Sequence, residues 1–359
     1  MTTNLRRVAA MAAALDLIVV AGNGAVRSQD AAANPFAFLA PWVQVSPGER
    51  ERLDRGEVVA RTLPATGSQV AVFVAARVQA APETLVAWTR AIDAFKRSPA
   101  VLAIGTFSEP PLLSDLDALV LDDVDVEDAA RCRPGHCGLK LTAREIAALG
   151  AATSVTDGGR RDAVQRAFRQ VVLERVRTYR AQGIAGLPAL ADRASTRRIA
   201  DGLSAILDRS PYLARLPSVI DWIRQFPRVE GPDDTLLYWS KESLGSGKPV
   251  ITVTHVGIVR PPPARDRPAV LVTGTQLLAT HYTNASLGLT MLVPGLGGGE
   301  HYLVYLNRTD VDVLGGMFSG MVRATIERRL NRQAPLVVRV LRSRLESGSP
   351  PASRRSHVP

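Results

Sequence analysis

The sequence predicts an α+β fold in which a curved antiparallel sheet wraps around a long C-terminal helix. Residues 234–309 form apolar, partly alternating runs separated by glycine- and proline-rich links, which is typical of strands joined by hairpins. Residues 314–345 then carry apolar side chains at spacings of three and four, which predicts one amphipathic helix. Residues 142–226, which precede the strand run, have helical periodicity and are expected as a helical insertion between two groups of strands.

Composition limits the class of protein and its partners. The chain has 359 residues, of which 46% are hydrophobic and 22% charged, as in ordinary globular proteins. Its formal net charge of +10 favours anionic partners such as lipid headgroups on a membrane surface. Aromatic residues make up only 5% and do not interleave with basic runs, which argues against a nucleic-acid-binding surface.

The N-terminal residues are similar to an export signal. Arg6 and Arg7 precede a largely apolar stretch over residues 8–21, which Asp16 interrupts. We therefore expect residues 1–28 to be a signal peptide and the mature protein to be periplasmic or secreted. An uncleaved anchor is the alternative. Residues 29–348 are expected as one domain, followed by a disordered tail at 349–359.

The first group of strands should precede the helical insertion. Residues 57–63, 69–78, 101–107 and 116–121 are predicted as strands, and residues 82–96 as a helix with proline at its start.

The two cysteines lie close together in the sequence, at Cys132 and Cys137. Pro134 and Gly135 between them suit a type II turn, which brings the flanking residues within disulfide range. A local disulfide is expected in an oxidising compartment. Two reduced thiols and a metal site that also uses His136 are the alternatives.

An acidic run over residues 115–128 suggests calcium as one interpretation. The run lacks the glycine and the final glutamate of an EF-hand loop, because Asp128 and Pro134 stand at those positions. The other interpretation is a solvated edge strand and loop, whose charges discourage edge-to-edge pairing.

Two further local patterns concern helices. Thr142 and Glu145 have the spacing of a capping box, which predicts a helix start. Pro335 lies inside the C-terminal helical pattern and is expected to kink or split that helix, because proline lacks the backbone donor.

The order of elements resembles the START-like helix-grip superfamily, which includes lipid carriers, polyketide cyclases and aromatases. Strands at 57–107, the intervening helices, strands at 235–310 and the closing helix at 314–345 carry the resemblance, which is topological. It implies an apolar cavity between the sheet and the C-terminal helix, and it implies no particular reaction.

The residues expected to line this cavity are polar side chains on the strands and apolar ones on the last helix. They are Tyr238, His255, His281, Tyr282, Tyr305, Phe318 and Val322. Two histidines in one cavity could act as general acid and base near neutral pH. The expected hairpin register separates His255 from His281 by roughly 20 Å, so each is better interpreted as a polar wall residue. Ordinary sheet packing is the alternative for the tyrosines.

These observations favour an exported protein that binds or carries a lipid or another hydrophobic small molecule, with no metal or other cofactor. A cyclase- or aromatase-like enzyme that uses histidine or tyrosine in the same cavity is one alternative. An envelope protein that contacts an anionic membrane surface is the other.

Overall fold

The structure is a computed structural model that describes residues 34–155, 159–232, 234–243, 247–263, 267–296, 299–315 and 319–351. The predicted signal peptide, Phe318 and residues 352–359 of the predicted tail lie outside these residues.

Eight of the described strands form one open antiparallel sheet, in the order β1-β2-β10-β9-β8-β7-β6-β3. A separate two-stranded ribbon pairs β4 with β5. The strands are β1 (Val58–Leu63), β2 (Gln69–Val78), β3 (Val101–Thr106), β4 (Ala189–Leu190), β5 (Arg197–Arg198), β6 (Asp234–Glu242), β7 (Val250–Val259), β8 (Val270–Ala279), β9 (Thr283–Pro294) and β10 (His301–Val311). The α+β class, the antiparallel sheet and the C-terminal helix are therefore as predicted.

Two of the described helices begin at side-chain caps. Ser46 and Thr142 both form capping boxes, with Glu49 and Glu145 respectively. The helices are α1 (Pro47–Asp54), α2 (Pro82–Arg90), α3 (Ile92–Lys96), α4 (Asp123–Arg131), α5 (Ala143–Thr153), α6 (Arg160–Gln182), α7 (Ile199–Asp208), α8 (Pro217–Gln225) and α9 (Ser319–Glu346). The helix predicted over 82–96 is two helices, which meet at Ala91 in a non-helical conformation.

Helices cover both faces of the sheet. On one face, buried leucines such as Leu271, Leu289 and Leu306 pack in one core with the helices of the insertion. On the other face, Leu292 and Leu303 pack in a second core with α2, α3 and α9. The insertion therefore forms a layer behind the sheet, on the side away from α9.

Helix α9 is continuous through Pro335 between Ser319 and Glu346. Its buried side chains include Val338 and Leu345, whereas Val337, which the periodicity places on the apolar face, is 57% exposed. Nearer its start, Val322 packs beside a small core that contains Val70. The helix is thus not split at Pro335.

The predicted strand at 116–121 is not formed. Leu121 is buried, and its backbone N–H and carbonyl both bond to the side-chain amide of Gln165, on α6, at 2.8 Å. These apolar residues pack under the insertion, whose Gln165 side chain supplies the backbone hydrogen bonds of Leu121 in place of a neighbouring strand. The acidic run is not an exposed edge either, because its second half begins α4 and Asp125 is buried.

None of the described helices is both long enough and apolar enough to cross a membrane.

Candidate ligand-binding groove

The α9 face of the sheet contains a half-buried band in its centre, whereas the opposite face is closed. Gly274 on β8 and Gly288 on β9 are direct partners in the ladder and form the middle of this band. Val256 and Asn307 continue the same row on β7 and β10. The glycine pair therefore leaves the centre of the sheet without side chains on the face that α9 contacts. We call this part of the sheet the floor.

Packing explains other glycines of the sheet but not these two. A methyl group at Gly257 would lie 2.5 Å from Trp222, and one at Gly105 would lie 2.7 Å from Trp239, so both positions exclude larger residues. At Gly288 the nearest atom is the Asn307 amide nitrogen, at 3.5 Å, which is ordinary contact distance.

Gly274 has still more space. Among the described residues, a methyl group at this position would have one neighbour within 4 Å, the Thr254 methyl carbon at 3.5 Å. Glycine weakens a strand interior, and it often marks a place where a ligand approaches the backbone closely. The surface above this glycine pair is therefore a candidate binding site, because packing does not account for glycine at these two positions.

Two arginines of α9 bond to backbone carbonyls beside the sheet. Arg344 donates to the backbone carbonyls of Phe95 and Arg97, at the end of α3, whereas Arg342 donates to the carbonyl of Gly56, before β1. The side of α9 that carries Arg344 therefore faces across the sheet, toward the end of α3.

Val337 and Val340 precede Arg344 by seven and four residues, so they share that side of the helix. Both are largely exposed, at 57% and 42%. The exposed surface of α9 on this side therefore includes two apolar side chains.

The face is concave. Tyr305, on β10, interacts electrostatically with Lys96, Tyr238 and Glu242, although β6 lies four strands from β10. Such an approach requires a curled sheet. Burial is the main cause that raises the pKa of Tyr305 to about 12, so this hydroxyl is neutral near pH 7.

An ion pair closes the β6 end of the concave face. The Lys96 ammonium group lies 2.7 Å from Glu242 and 3.2 Å from the Tyr238 hydroxyl, and Ser240 also donates to Glu242. Burial alone would raise the pKa of Glu242, but the charge and hydrogen bond of Lys96 outweigh it and lower that pKa. Both groups are therefore charged and mutually neutralised at neutral pH.

A hydrogen-bonded triad orders the β10 end of the floor. The Asn307 amide donates to Ser286 at 3.1 Å and accepts from Thr309 at 2.7 Å, while the two hydroxyl groups are 2.7 Å apart. The orientation of the Asn307 amide is thus fixed beside Gly288.

His255 lies on the opposite face of the sheet. Its Nδ1 is hydrogen-bonded to the Tyr179 hydroxyl group at 2.9 Å, and the rings of Trp222 and Phe226 surround it. Burial, assisted by the charge of Arg180, lowers the pKa of His255 to about 3. It is a neutral core histidine.

His281 also lies away from the groove. Its Nε2 lies 3.2 Å from Asp125 and its Nδ1 lies 3.0 Å from the carbonyl of Gly138, so both nitrogens face acceptors. Lys248 contacts Asp125 as well, at 2.9 Å. Burial would raise the pKa of Asp125, but His281 and Lys248 together lower it. This cluster attaches α4 to the end of the sheet.

The structure therefore divides the residues predicted to share one cavity. Tyr238 and Tyr305 lie together on the concave face. Tyr282 lies in the turn after β8, where its hydroxyl accepts the Lys248 backbone N–H at 2.8 Å. Together with His255 and His281 it is outside the groove, and Val322 packs near the start of α9. Whether each binds a ligand stays a prediction.

Cys132 and Cys137 form a disulfide, with Cα atoms 4.4 Å apart. Gly135 has the positive φ, 86°, that the predicted turn requires. The alternatives of free thiols and a cysteine metal site are thereby excluded. In the described ranges no three histidine, cysteine or acidic side chains are grouped as metal ligands would be.

Lys140, three residues after the disulfide, is buried among polar partners. Its ammonium group lies 2.7 Å from Asn284, 3.0 Å from Asp312 and 3.8 Å from Asp192. This network joins the disulfide-containing segment to the strand ends.

A separate cleft of about 180 Å³ lies between α5 and α6. Arg175 lines it, and its Nε and Nη2 are paired with Glu145, whereas its buried Nη1 has no partner in the part of the chain that the structure describes. We favour the concave face as the functional site, because packing does not explain its glycine pair.

Sequence reasoning missed the glycine pair and Asn307. Two glycines inside otherwise regular strands were the available signal. Their facing position depends on the register of β8 against β9, which becomes visible only in the structure.

No protein-family model matches the chain, and no curated protein matches it at a significant level. The layout is compatible with a helix grip, and the assignment to that superfamily rests on topology alone.

Proposed function

We propose that the protein binds a small amphipathic molecule, such as a lipid or another hydrophobic compound with a polar group, between α9 and the concave face of the sheet. The observation that carries this proposal is the pair Gly274 and Gly288, partners in the ladder at which a Cβ atom would meet no described atom closer than 3.5 Å, so that packing does not require glycine at either position.

The lining suits such a ligand. Val337 and Val340 provide an apolar wall, while Thr254, Asn307 and Tyr305 provide polar groups near the floor. Sites of this composition use apolar contact for affinity and a few polar groups for orientation.

We further propose that the protein acts outside the cytoplasm. The Cys132–Cys137 disulfide supports this location, since disulfides persist mainly in oxidising compartments. N-terminal sequencing of the protein from periplasmic and culture fractions tests it. An intact Met1 in the cytoplasmic fraction would contradict it.

An enzymatic role would have to use Tyr238 and Tyr305, because the two histidines considered as proton carriers lie outside the concave face. The elevated pKa of Tyr305 favours a hydrogen-bonding role over proton transfer at neutral pH. Binding or carriage is therefore the better-supported function.

Membrane contact is a second candidate, favoured by the outer surface of α9. Met321 and Leu336 are 73% and 56% exposed, and Arg328, Arg332 and Arg339 are exposed on the same helix. Co-sedimentation with phosphatidylglycerol vesicles that weakens with salt would support it. Equal binding to phosphatidylcholine vesicles would argue against an electrostatic contact.

The groove is tested by Nile red titration and by native mass spectrometry of protein purified from its own host. We expect a bound apolar species and saturable dye fluorescence. Gly288→Leu should place a side chain over the glycine pair and abolish dye binding without unfolding, because a Cβ atom at this position meets no described atom closer than 3.5 Å. Gly150→Leu, on α5 with open space around it, is the matched control.

Thermal melting and circular dichroism should show both variants folded. Loss of dye binding in Gly288→Leu alone supports the proposal. Equal binding in both variants, or no bound species and no dye binding in the wild type, would refute it.

A further inference from the structure

The charge of the ligand can be inferred from the groups around the glycine pair. We infer, building on the proposed function, that the ligand segment above Gly274 and Gly288 is uncharged and carries hydroxyl or carbonyl groups, as an alcohol, ketone or glycerol ester does. A carboxylate or ammonium headgroup does not fit there.

The described side chains next to the glycine pair are uncharged. A methyl group at Gly274 would meet the methyl carbon of Thr254 at 3.5 Å, and one at Gly288 would meet the Asn307 amide nitrogen at 3.5 Å and the Tyr305 hydroxyl at 3.8 Å. Hydroxyl and amide groups both donate and accept hydrogen bonds, so they match alcohol and carbonyl oxygens.

The Lys96 charge on the concave face is already neutralised within the protein, because Glu242 holds this ammonium group at 2.7 Å. Arg344, near the end of α9, keeps its charge while it donates to the carbonyls of Phe95 and Arg97. A charged headgroup directly above the glycine pair would therefore lose hydration without gaining an opposite charge from the side chains next to that pair, which is unfavourable in a partly desolvated site.

The fixed triad at the β10 end favours a neutral ligand for a second reason. Asn307 is held by Ser286 and Thr309, so it presents a preset amide rather than an adaptable side chain. A preset dipole binds a matching neutral group at little entropic cost, whereas it compensates a full charge only weakly.

The test is competition with bound Nile red by three probes that share one hydrocarbon chain: oleyl alcohol, oleate and oleylamine. We expect the alcohol to displace the dye at a concentration about tenfold lower than either charged probe, since an unpaired charge loses more than a hydrogen bond gains. Equal or stronger displacement by oleate or oleylamine would overturn the inference.

The outcomes of these experiments distinguish a failure of this inference from a failure of the proposed function. If dye binds the wild type but not Gly288→Leu, the groove is a binding site, and only the ranking of the probes decides the ligand charge. If the alcohol fails while a charged probe competes, the inference fails and the groove remains. If the wild type binds neither dye nor any probe, the proposed function fails.

A substitution tests whether the floor causes the preference for the neutral probe. Thr254→Val removes the hydroxyl group at nearly constant volume and should reduce the advantage of oleyl alcohol over oleate about threefold to tenfold. Thr235→Val, at an exposed position on β6, is the control and should leave the ratio unchanged. An unchanged ratio in Thr254→Val would show that this hydroxyl does not contact the ligand.

Discussion

Acidification is expected to destabilise the protein through His255, well before most carboxylates titrate. Burial lowers the pKa of His255 from 6.5 to about 3, and Arg180 adds to the effect. Between these two values the unfolded chain binds one proton that the folded protein does not. Stability is therefore complete above about pH 6.5 and falls as the pH decreases toward 3.

The magnitude follows from the size of the shift. One proton taken up only by the unfolded state changes the free energy of unfolding by about 1.4 kcal/mol per pH unit. Lowering the pH from 6.5 to 5 should thus remove about 2 kcal/mol. The contacts with Tyr179, Trp222 and Phe226 offer no negative charge that would hold an imidazolium in place.

The assay is urea unfolding of the oxidised protein at several pH values between about 7.5 and 5. His255→Asn, whose side-chain oxygen can replace Nδ1 as the acceptor for Tyr179, provides the comparison. The variant should be less stable overall but should lose less stability on acidification. The lowered pKa of His301 contributes equally to both proteins and cancels in the difference. Identical pH slopes for the two proteins would refute this account of His255.

Two further predictions concern packing and buried charge. Gly257→Ala should destabilise the protein by roughly 1–3 kcal/mol, because its methyl group would meet Trp222. Gly274→Ala should be neutral or should stabilise the protein by about 0.5 kcal/mol. Equal urea midpoints for both variants would contradict the distinction between a glycine that packing requires and one that packing does not require. Lys140→Met should cost about 1–3 kcal/mol, because it removes the buried cation beside Asp312 and leaves only the more exposed Arg193 to pair with that carboxylate. Adding Asp312→Asn should recover part of the loss. A loss below about 1 kcal/mol would show that the Lys140–Asp312 pair is not effectively buried.

The sequence predicted the sheet well where alternation and turn residues agreed. The strand predicted at 69–78 has those bounds in the structure, and the strands predicted over 235–310 end at Val311. Local pattern suffices there because both flanks carry breakers, which limit the possible ends of each strand.

Residues whose environment is set by distant segments were predicted less well. Residues 116–121 have strand-like composition, yet Gln165 on α6 satisfies the backbone of Leu121. Val337 follows the helical period, but Val338 is the buried residue because α9 shifts its contact face along the sheet. Neither partner is visible from local sequence.

The candidate site was predicted only in part for the same reason. Tyr238 and Tyr305 were expected on a common wall and lie on one face. His255 was expected to face inward and is buried, but it faces the insertion. Strand periodicity distinguishes the two faces of a sheet but does not indicate which layer covers each face. Here the helical insertion covers the second face and forms a second core with it.

The position of β10 has a consequence for how the chain can fold. The β1–β2 hairpin lies early in the sequence. In the described sheet the one further strand that pairs with this hairpin is β10, through pairs such as Val74 with Tyr305. Such distant pairing slows folding, because a long loop must close before the contact stabilises anything. During synthesis the hairpin has an unpaired edge until the last strand emerges, and β10 then joins it to the β9–β6 meander in a late step. A chaperone or an export factor that holds the chain unfolded would act in this interval.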